Sequence, residues 1–358
     1  MKTVWLFCTV IDNFGDIGVA WRLARELRSR LNVKVFLFLD NWDALMQLAP
    51  NFADERDVVV KRWREHEWAD CDHVPLPDLT IETFACGLPE SVLLKIKKNQ
   101  SLWLNWEYLS AEDWAVKTHA MPSLQGDGYP KYFWQMGFVP ESGGLIRERD
   151  FRLPEKTFPK ENNALNVLIF GYRSAIWADI LRAWQTLGWC VNVDLAGGQV
   201  AASLRESGFL PEKGAECVSG SLKIRQIDFV PQADFDDLLA RYDWLFVRGE
   251  DSFVRAQFSG KPLFWHIYPQ DELAHLDKLD AFWQTVFGDN HTVWQQAYQS
   301  LSRELNGDFR LPENERLAHW QTLRQHENEW RQSAQSWQQN LFNQKDALSR
   351  LADWLAQK

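Results

Sequence analysis

Apolar and polar positions fall in alternating blocks along this chain. Val4 to Val10 is a nearly continuous apolar run, and such a run without a polar face predicts a strand buried on both sides. Gly18 to Leu31 follows with Ala20, Leu23, Ala24, Leu27 and Leu31 at helical spacing. Val33 to Leu39, Leu79 to Phe84 and Ser101 to Asn105 predict further strands with helices between them, so the first half reads as an α/β sheet. Arg152 to Asn163, with Pro154, Pro159 and mixed charge, breaks the periodicity and predicts a linker. Leu165 to Phe170 restarts the pattern. A helix over 176–187 and strands over 191–195, 224–229 and 244–247 follow, then long helical periodicity over 317–341 and 346–356. The expected organisation is two Rossmann-like α/β domains facing a central cleft. They cover residues 1–152 and 165–316, joined by a linker over 153–164, with terminal helices over 317–358 packing across both.

Composition narrows the partners. At 358 residues the chain exceeds the roughly 250–300 at which a single core stops growing. A formal charge of −10 argues against nucleic acid or anionic lipid as a general partner, since both would be repelled. Cys8, Cys71, Cys86, Cys190 and Cys217 form no CxxC pair and no zinc-spaced cluster, so neither a metal nor disulfides are expected. The apolar start is too short to span a bilayer and runs into Asp12 and Asp16; a buried first strand in a cytoplasmic protein explains it. Of the 20 tryptophans, Trp320, Trp330, Trp337 and Trp354 on the late helices are expected to be packing residues whose N–H finds a partner.

The chemistry-bearing stretches lie at predicted strand ends. Phe229-Val-Pro-Gln232 precedes a short acidic helix. Trp244-Leu-Phe-Val-Arg-Gly-Glu-Asp-Ser252 runs a strand into a glycine turn and a helix start, and His266-Ile-Tyr-Pro-Gln-Asp-Glu272 follows. Ser252 is a candidate cap for the helix carrying Phe253 to Ser259, whose first amides would face a diphosphate. Asp12 and Asp16 follow the first strand, where a doubly wound half opens its site, and Gly15 and Gly18 let that loop turn. Taken alone, an Asx-turn at Asp12 and a helix cap at Asp16 would account for both aspartates. Lys261 and His266 read as loop and strand-end residues outside catalysis. Arg22, Arg25, Arg28 and Arg30 read as a solvated helix face.

The order Phe229-Val-Pro-Gln, Asp236 to Trp244, Arg248-Gly-Glu-Asp-Ser252 and Gly260-Lys-Pro-Leu resembles the donor half of GT-B glycosyltransferases. With Asp12-Asn-Phe-Gly-Asp16, Arg248 to Gln257 and His266-Ile-Tyr-Pro-Gln270, the whole chain is similar to the EarP family, the protein-arginine rhamnosyltransferases of elongation factor P. That resemblance implies a GT-B fold and metal-free, inverting transfer of L-rhamnose from dTDP-β-L-rhamnose to a loop arginine of elongation factor P. Inversion needs a carboxylate on the acceptor side, and a charged guanidinium suits two carboxylates. Asp16 is the expected base and Asp12 its orienting partner, with roles open to exchange. Glu250 would meet sugar hydroxyls or the acceptor guanidinium. Donor binding is expected from Asn13, Phe14, Gly15, Phe170, Tyr172, Gln232, Phe235, Arg248, Glu250, Asp251, Ser252 and Tyr268. Within that set Gln232 suits a thymine edge, Arg248 and Tyr268 phosphate oxygens, and Phe170 and Tyr172 the closing of the pocket. Two other functions fit the same residues: an inverting GT-B transferase with a small-molecule acceptor, and a noncatalytic nucleotide-sugar-binding protein.

Overall fold

A computed structural model describes residues 2–11, 14–64, 66–154, 164–211, 216–289 and 291–358. The chain divides into two compact units, one of residues 1–152 with 343–358, the other of residues 153–342. The expected linker lies largely outside the described residues.

In the first unit the strands are β1 (Thr3–Cys8), β2 (Lys34–Leu39), β3 (Val58–Arg64), β4 (Trp68–Ala69), β5 (Leu79–Thr83), β6 (Leu102–Trp106), β7 (Pro122–Leu124) and β8 (Pro130–Trp134). They form one sheet in the order β4-β3-β2-β1-β5-β6-β8-β7. β4 and β7 are antiparallel edges, and the six strands between them are parallel. Setting the edges aside, the parallel strands run third, second, first, fourth, fifth, sixth. That is the doubly wound order, whose ligand crevice lies at the carboxyl ends of the two strands where the order reverses, here β1 and β5. Every residue of β1 is buried. Its Phe7 stacks on Phe38 at 4.4 Å and meets Trp63 edge-on at 5.3 Å, pairs that add about 0.5–1.5 kcal/mol each beyond area burial.

The second unit repeats the logic with β9 (Leu165–Ile169), β10 (Val191–Ala196), β11 (Glu216–Ser219), β12 (Leu222–Ile227), β13 (Trp244–Arg248) and β14 (Leu263–His266). The order is β11-β12-β10-β9-β13-β14, parallel except for the β11 edge, and it reverses at β9 and β13. Helices Glu313–Gln325 and Glu327–Asn343 bring Trp320 and Trp330 against Trp244 of β13, at 6.2 and 5.2 Å.

Several expectations need correcting. The 317–341 periodicity is two helices broken at His326, whose non-helical φ/ψ of −104° and 25° ends the first. Trp337 donates to Gln257 as expected, but the buried Trp320 N–H has no acceptor among the described residues; its rings are held by packing alone. Arg22 is no solvated residue: it is 4% exposed and ion-paired with Glu148, while Arg30 pairs with Glu26 and Asp346. No helix of the described residues is long and apolar enough to cross a membrane.

Candidate active site

The two reversal points are where the predicted site residues gather. In the first unit the chain leaves β1 with the Val10 amide held by Asp40 at 3.1 Å, then enters helix Gly15–Leu31. Asp12 and Asn13 lie outside the described residues. Phe14 occupies the N-cap position without a side-chain cap, and Gly15 opens the helix. Asp16 is therefore not the cap. It sits in the first turn, where the helix dipole favours a negative charge, and its Oδ2 accepts from the Ile11 amide at 2.7 Å. The Tyr108 hydroxyl approaches Oδ1 at 3.4 Å. Asp16 is only 3% exposed. Beside it the Cys8 thiol is pushed well up, first by burial and then by the Asp16 charge, so this cysteine is an inert core group.

Tyr108 was not anticipated. Its ring stacks on Phe84 at 4.1 Å and 11°. Phe84 and Ala85, just beyond β5, both adopt left-handed backbone, with φ of 57° and 53°. Such residues cost about 1–3 kcal/mol each and persist where the surroundings fix them. Here Phe84 N donates to Trp106 O and Ala85 N to Asn105 Oδ1, both at 2.8 Å. The only sequence signal for Tyr108 is its place two residues past β6.

In the second unit β9 ends at Ile169, and Phe170 N continues the ladder to Phe246 O at 2.8 Å. Gly171 is needed there because a Cβ would stand 2.3 Å from Trp177 Cζ2. Arg248, the last residue of β13, carries its guanidinium carbon 4.7 Å from the Phe170 ring centre and 4.8 Å from that of Tyr172. Tyr268 lies edge-on to Tyr172 at 5.6 Å and is 48% exposed. Phe235 meets Phe170 edge-on at 6.3 Å. Gln232 Nε2 donates to Asp251 Oδ2 at 2.8 Å, so Asp251 already has a protein partner.

Helix Asp251–Phe258 begins earlier than expected. Glu250 is its N-cap, with no side-chain cap bond, and the Val254 amide already reaches Glu250 O at 2.9 Å. Ser252 therefore lies inside the first turn and does not cap it. Gly249, at φ 63°, supplies the left-handed turn into this helix, and its carbonyl accepts from Trp265 Nε1 at 2.9 Å. Buried Arg255 pairs with Asp236, Nε to Oδ1 at 2.8 Å, which ties the helix to Phe235–Leu239. First-turn amides have no acceptor within their own helix and suit an anion, and Arg248, three residues before the helix, brings a positive charge to the same strand end. Lys261, by contrast, donates to the Ala240 and Tyr242 carbonyls and serves the loop.

The residues thus form an enclosed carboxylate in one unit and an aromatic–guanidinium cluster beside a helix start in the other. No group of three or more acidic, His or Cys side chains suited to a metal occurs among the described residues.

Comparison with known proteins gives one consistent result. A family model described as elongation factor P rhamnosyltransferase EarP matches residues 4–356. A protein-arginine rhamnosyltransferase of Neisseria meningitidis serogroup B is 48% identical, over 98% of this chain and 96% of the relative. A solved structure described as the basis for EarP-mediated arginine glycosylation of translation elongation factor EF-P aligns over 100% of both chains, with 25% identity and a TM-score of 0.59. MurG of Acinetobacter baumannii, 13% identical over 100% of both chains with a TM-score of 0.56, shares the fold.

Proposed function

The chain belongs to the EarP family of elongation factor P rhamnosyltransferases, and from that premise we propose the reaction in detail. L-Rhamnose passes from dTDP-β-L-rhamnose to one loop arginine of elongation factor P, with inversion and without a metal, in the cytoplasm. The observation that carries this reading is the family match along essentially the whole chain. A guanidine nitrogen attacks C1 of the sugar while the C1–O bond to the diphosphate breaks and dTDP leaves with the electron pair. The nitrogen loses its proton to Asp16.

The geometry around Asp16 supports the role of base. One carboxylate oxygen is tied to the Ile11 amide, the burial strengthens its attraction for a guanidinium, and the other oxygen faces Tyr108. Asp12 serves as orienting partner, and Asn13, Phe14 and Gly15 contribute to donor binding. On the donor side Arg248 counters the diphosphate together with Tyr268 and the amides at Asp251 and Ser252. Phe170, Tyr172, Phe235 and Gln232 enclose the base, and Glu250 meets the sugar hydroxyls or the acceptor.

The test is intact-mass analysis of elongation factor P after incubation with the protein and dTDP-rhamnose, with the adduct located by fragmentation. One rhamnose on a loop arginine is expected. Asp16→Asn keeps an oxygen for the Ile11 amide but cannot take a proton, and should slow transfer by about 10²–10⁴-fold with dTDP affinity retained. Undiminished transfer by that variant would remove Asp16 from the base role.

A further inference from the structure

His266 is buried at 4% exposure, at the end of β14 and in register with Arg248 of the neighbouring β13. Its Nδ1 accepts the Tyr172 amide at 3.2 Å, a bond that crosses over β13 to the segment leaving β9. The accepting nitrogen carries no proton, so the neutral ring holds its hydrogen on Nε2. Trp177 and Tyr172 pack edge-on against the imidazole, each at 5.3 Å, and Trp177 Nε1 donates to the Tyr172 carbonyl at 2.8 Å. Both polar groups of the Tyr172 backbone are therefore held by buried side chains. What they hold in place is one of the two rings against the Arg248 guanidinium.

Resting on the donor reading above, we infer that His266 is a positioning residue. By accepting the Tyr172 amide it fixes the Phe170-Gly171-Tyr172 turn, and through it the two-ring clamp that orients Arg248 toward the donor diphosphate. A guanidinium ordered before binding costs the donor less entropy on binding, so the clamp favours affinity for the donor over turnover.

The position of the accepting atom makes the inference testable by side-chain replacement in the full-length protein. Asparagine places its amide oxygen near the position of Nδ1; glutamine reaches instead to the position of Nε2; phenylalanine fills the space with no acceptor. Losing the acceptor lets the turn move so that the Tyr172 amide finds another partner, and donor binding must then restore the clamp at the cost of about one hydrogen bond, about tenfold in equilibrium terms. We expect His266→Phe and His266→Gln to raise the KM for dTDP-rhamnose and the Kd for dTDP about tenfold with kcat little changed, and His266→Asn to stay within about threefold of wild type. A purely structural role would lower melting temperature and kcat without this donor-specific split.

Calorimetric titration with dTDP separates the possible failures. Wild-type protein that does not bind dTDP overturns the donor reading and the inference with it. Wild-type binding with the same Kd in the Gln variant, or a loss equal in Asn and Gln, overturns the inference alone. Should the Phe variant fail to fold, the Asn and Gln pair still decides.

Discussion

Protonating His266 would put a hydrogen on the atom that accepts from Tyr172 and a second cation beside Arg248. Burial first, then Arg248 and His275, push its pKa down to about 3. The unfolded chain keeps the ordinary histidine value of about 6.5. Between those values the unfolded chain binds a proton that the folded one refuses. This contribution to stability is thus complete above about pH 6.5 and falls on acidification by about 1.4 kcal/mol per pH unit. From pH 6.5 to pH 5 the wild type should lose about 2 kcal/mol through this group. His266→Asn, which does not titrate, should lose that component. His119, pushed down to about 4 by burial and then Arg350, has the same sign but is common to both proteins, so their difference isolates His266. Urea midpoints across this range would decide; parallel slopes would refute the assignment. At this scale the sequence revealed residue types better than roles. Asp16 and Arg248 stand out as polar residues of motifs that follow or end predicted strands, and Phe170 and Tyr172 only by their place after the first strand of the second half. His266 reads only as a strand-end residue because its partner is a backbone amide across a neighbouring strand, which leaves no mark in the local sequence.

Secondary-structure elements were legible where burial is two-sided. β1, β9 and β13 are mostly apolar, with Thr3, Asn166 and Arg248 as their polar residues, and sit at the sheet centres, so their patterns stand out. The strands absent from the sequence reading are mostly peripheral or short. β4 has two residues, β7 three and β14 four, and β3 carries Lys61, Arg62 and Arg64 among its apolar residues. Nor does hydrophobic periodicity mark which sheet a terminal helix joins. Helix Ala347–Leu355 belongs to the first unit because of specific polar contacts: Arg350 Nη1 donates to the carbonyls of Val139, Pro140 and Ser142 at 2.7, 2.8 and 2.7 Å, and Asp346 caps the helix through the Leu348 and Ser349 amides. Gly144, at φ 76°, lies where a Cβ would stand 2.9 Å from Arg350 Nε, so the turn and the arginine fit together. Arg350→Met keeps the apolar stem and deletes the donors. Hydrogen bonds to a charged group contribute about 1.5–3 kcal/mol, and the three share one nitrogen, so a loss of about 2–3 kcal/mol from the first unit is expected. Chemical denaturation with peptide-resolved hydrogen exchange would check it. A loss confined to the second unit would contradict the docking of this helix.

Across the whole molecule the same device appears twice. Each unit reverses strand order beside its first strand, β1 against β5 and β9 against β13, with Asp16 following β1 in one unit and Arg248 ending β13 in the other. In the proposed reaction a carboxylate on the acceptor side in one unit and a donor cluster in the other divide the labour by charge. The enclosed Asp16 suits a cation, whereas Arg248 with a helix start suits an anion, and neither arrangement would serve the other substrate. This division predicts where a donor fragment is felt. A ligand that binds only the folded state stabilises it by RT ln(1 + [L]/Kd), about 2.7 kcal/mol at a hundredfold excess over Kd. Since dTDP lacks the sugar, its contacts should fall on the residues that hold base and diphosphate. Hydrogen exchange should slow in segments 170–172, 232–235, 248–254 and 266–268, and stay unchanged in β1 and over residues 19–31 of the first helix. Asp16→Asn should show the same protection while failing in transfer if, as proposed, the charge it removes serves the acceptor. Protection centred on β1 and β5 would assign the nucleotide to the first unit and reverse the proposed roles of the two halves.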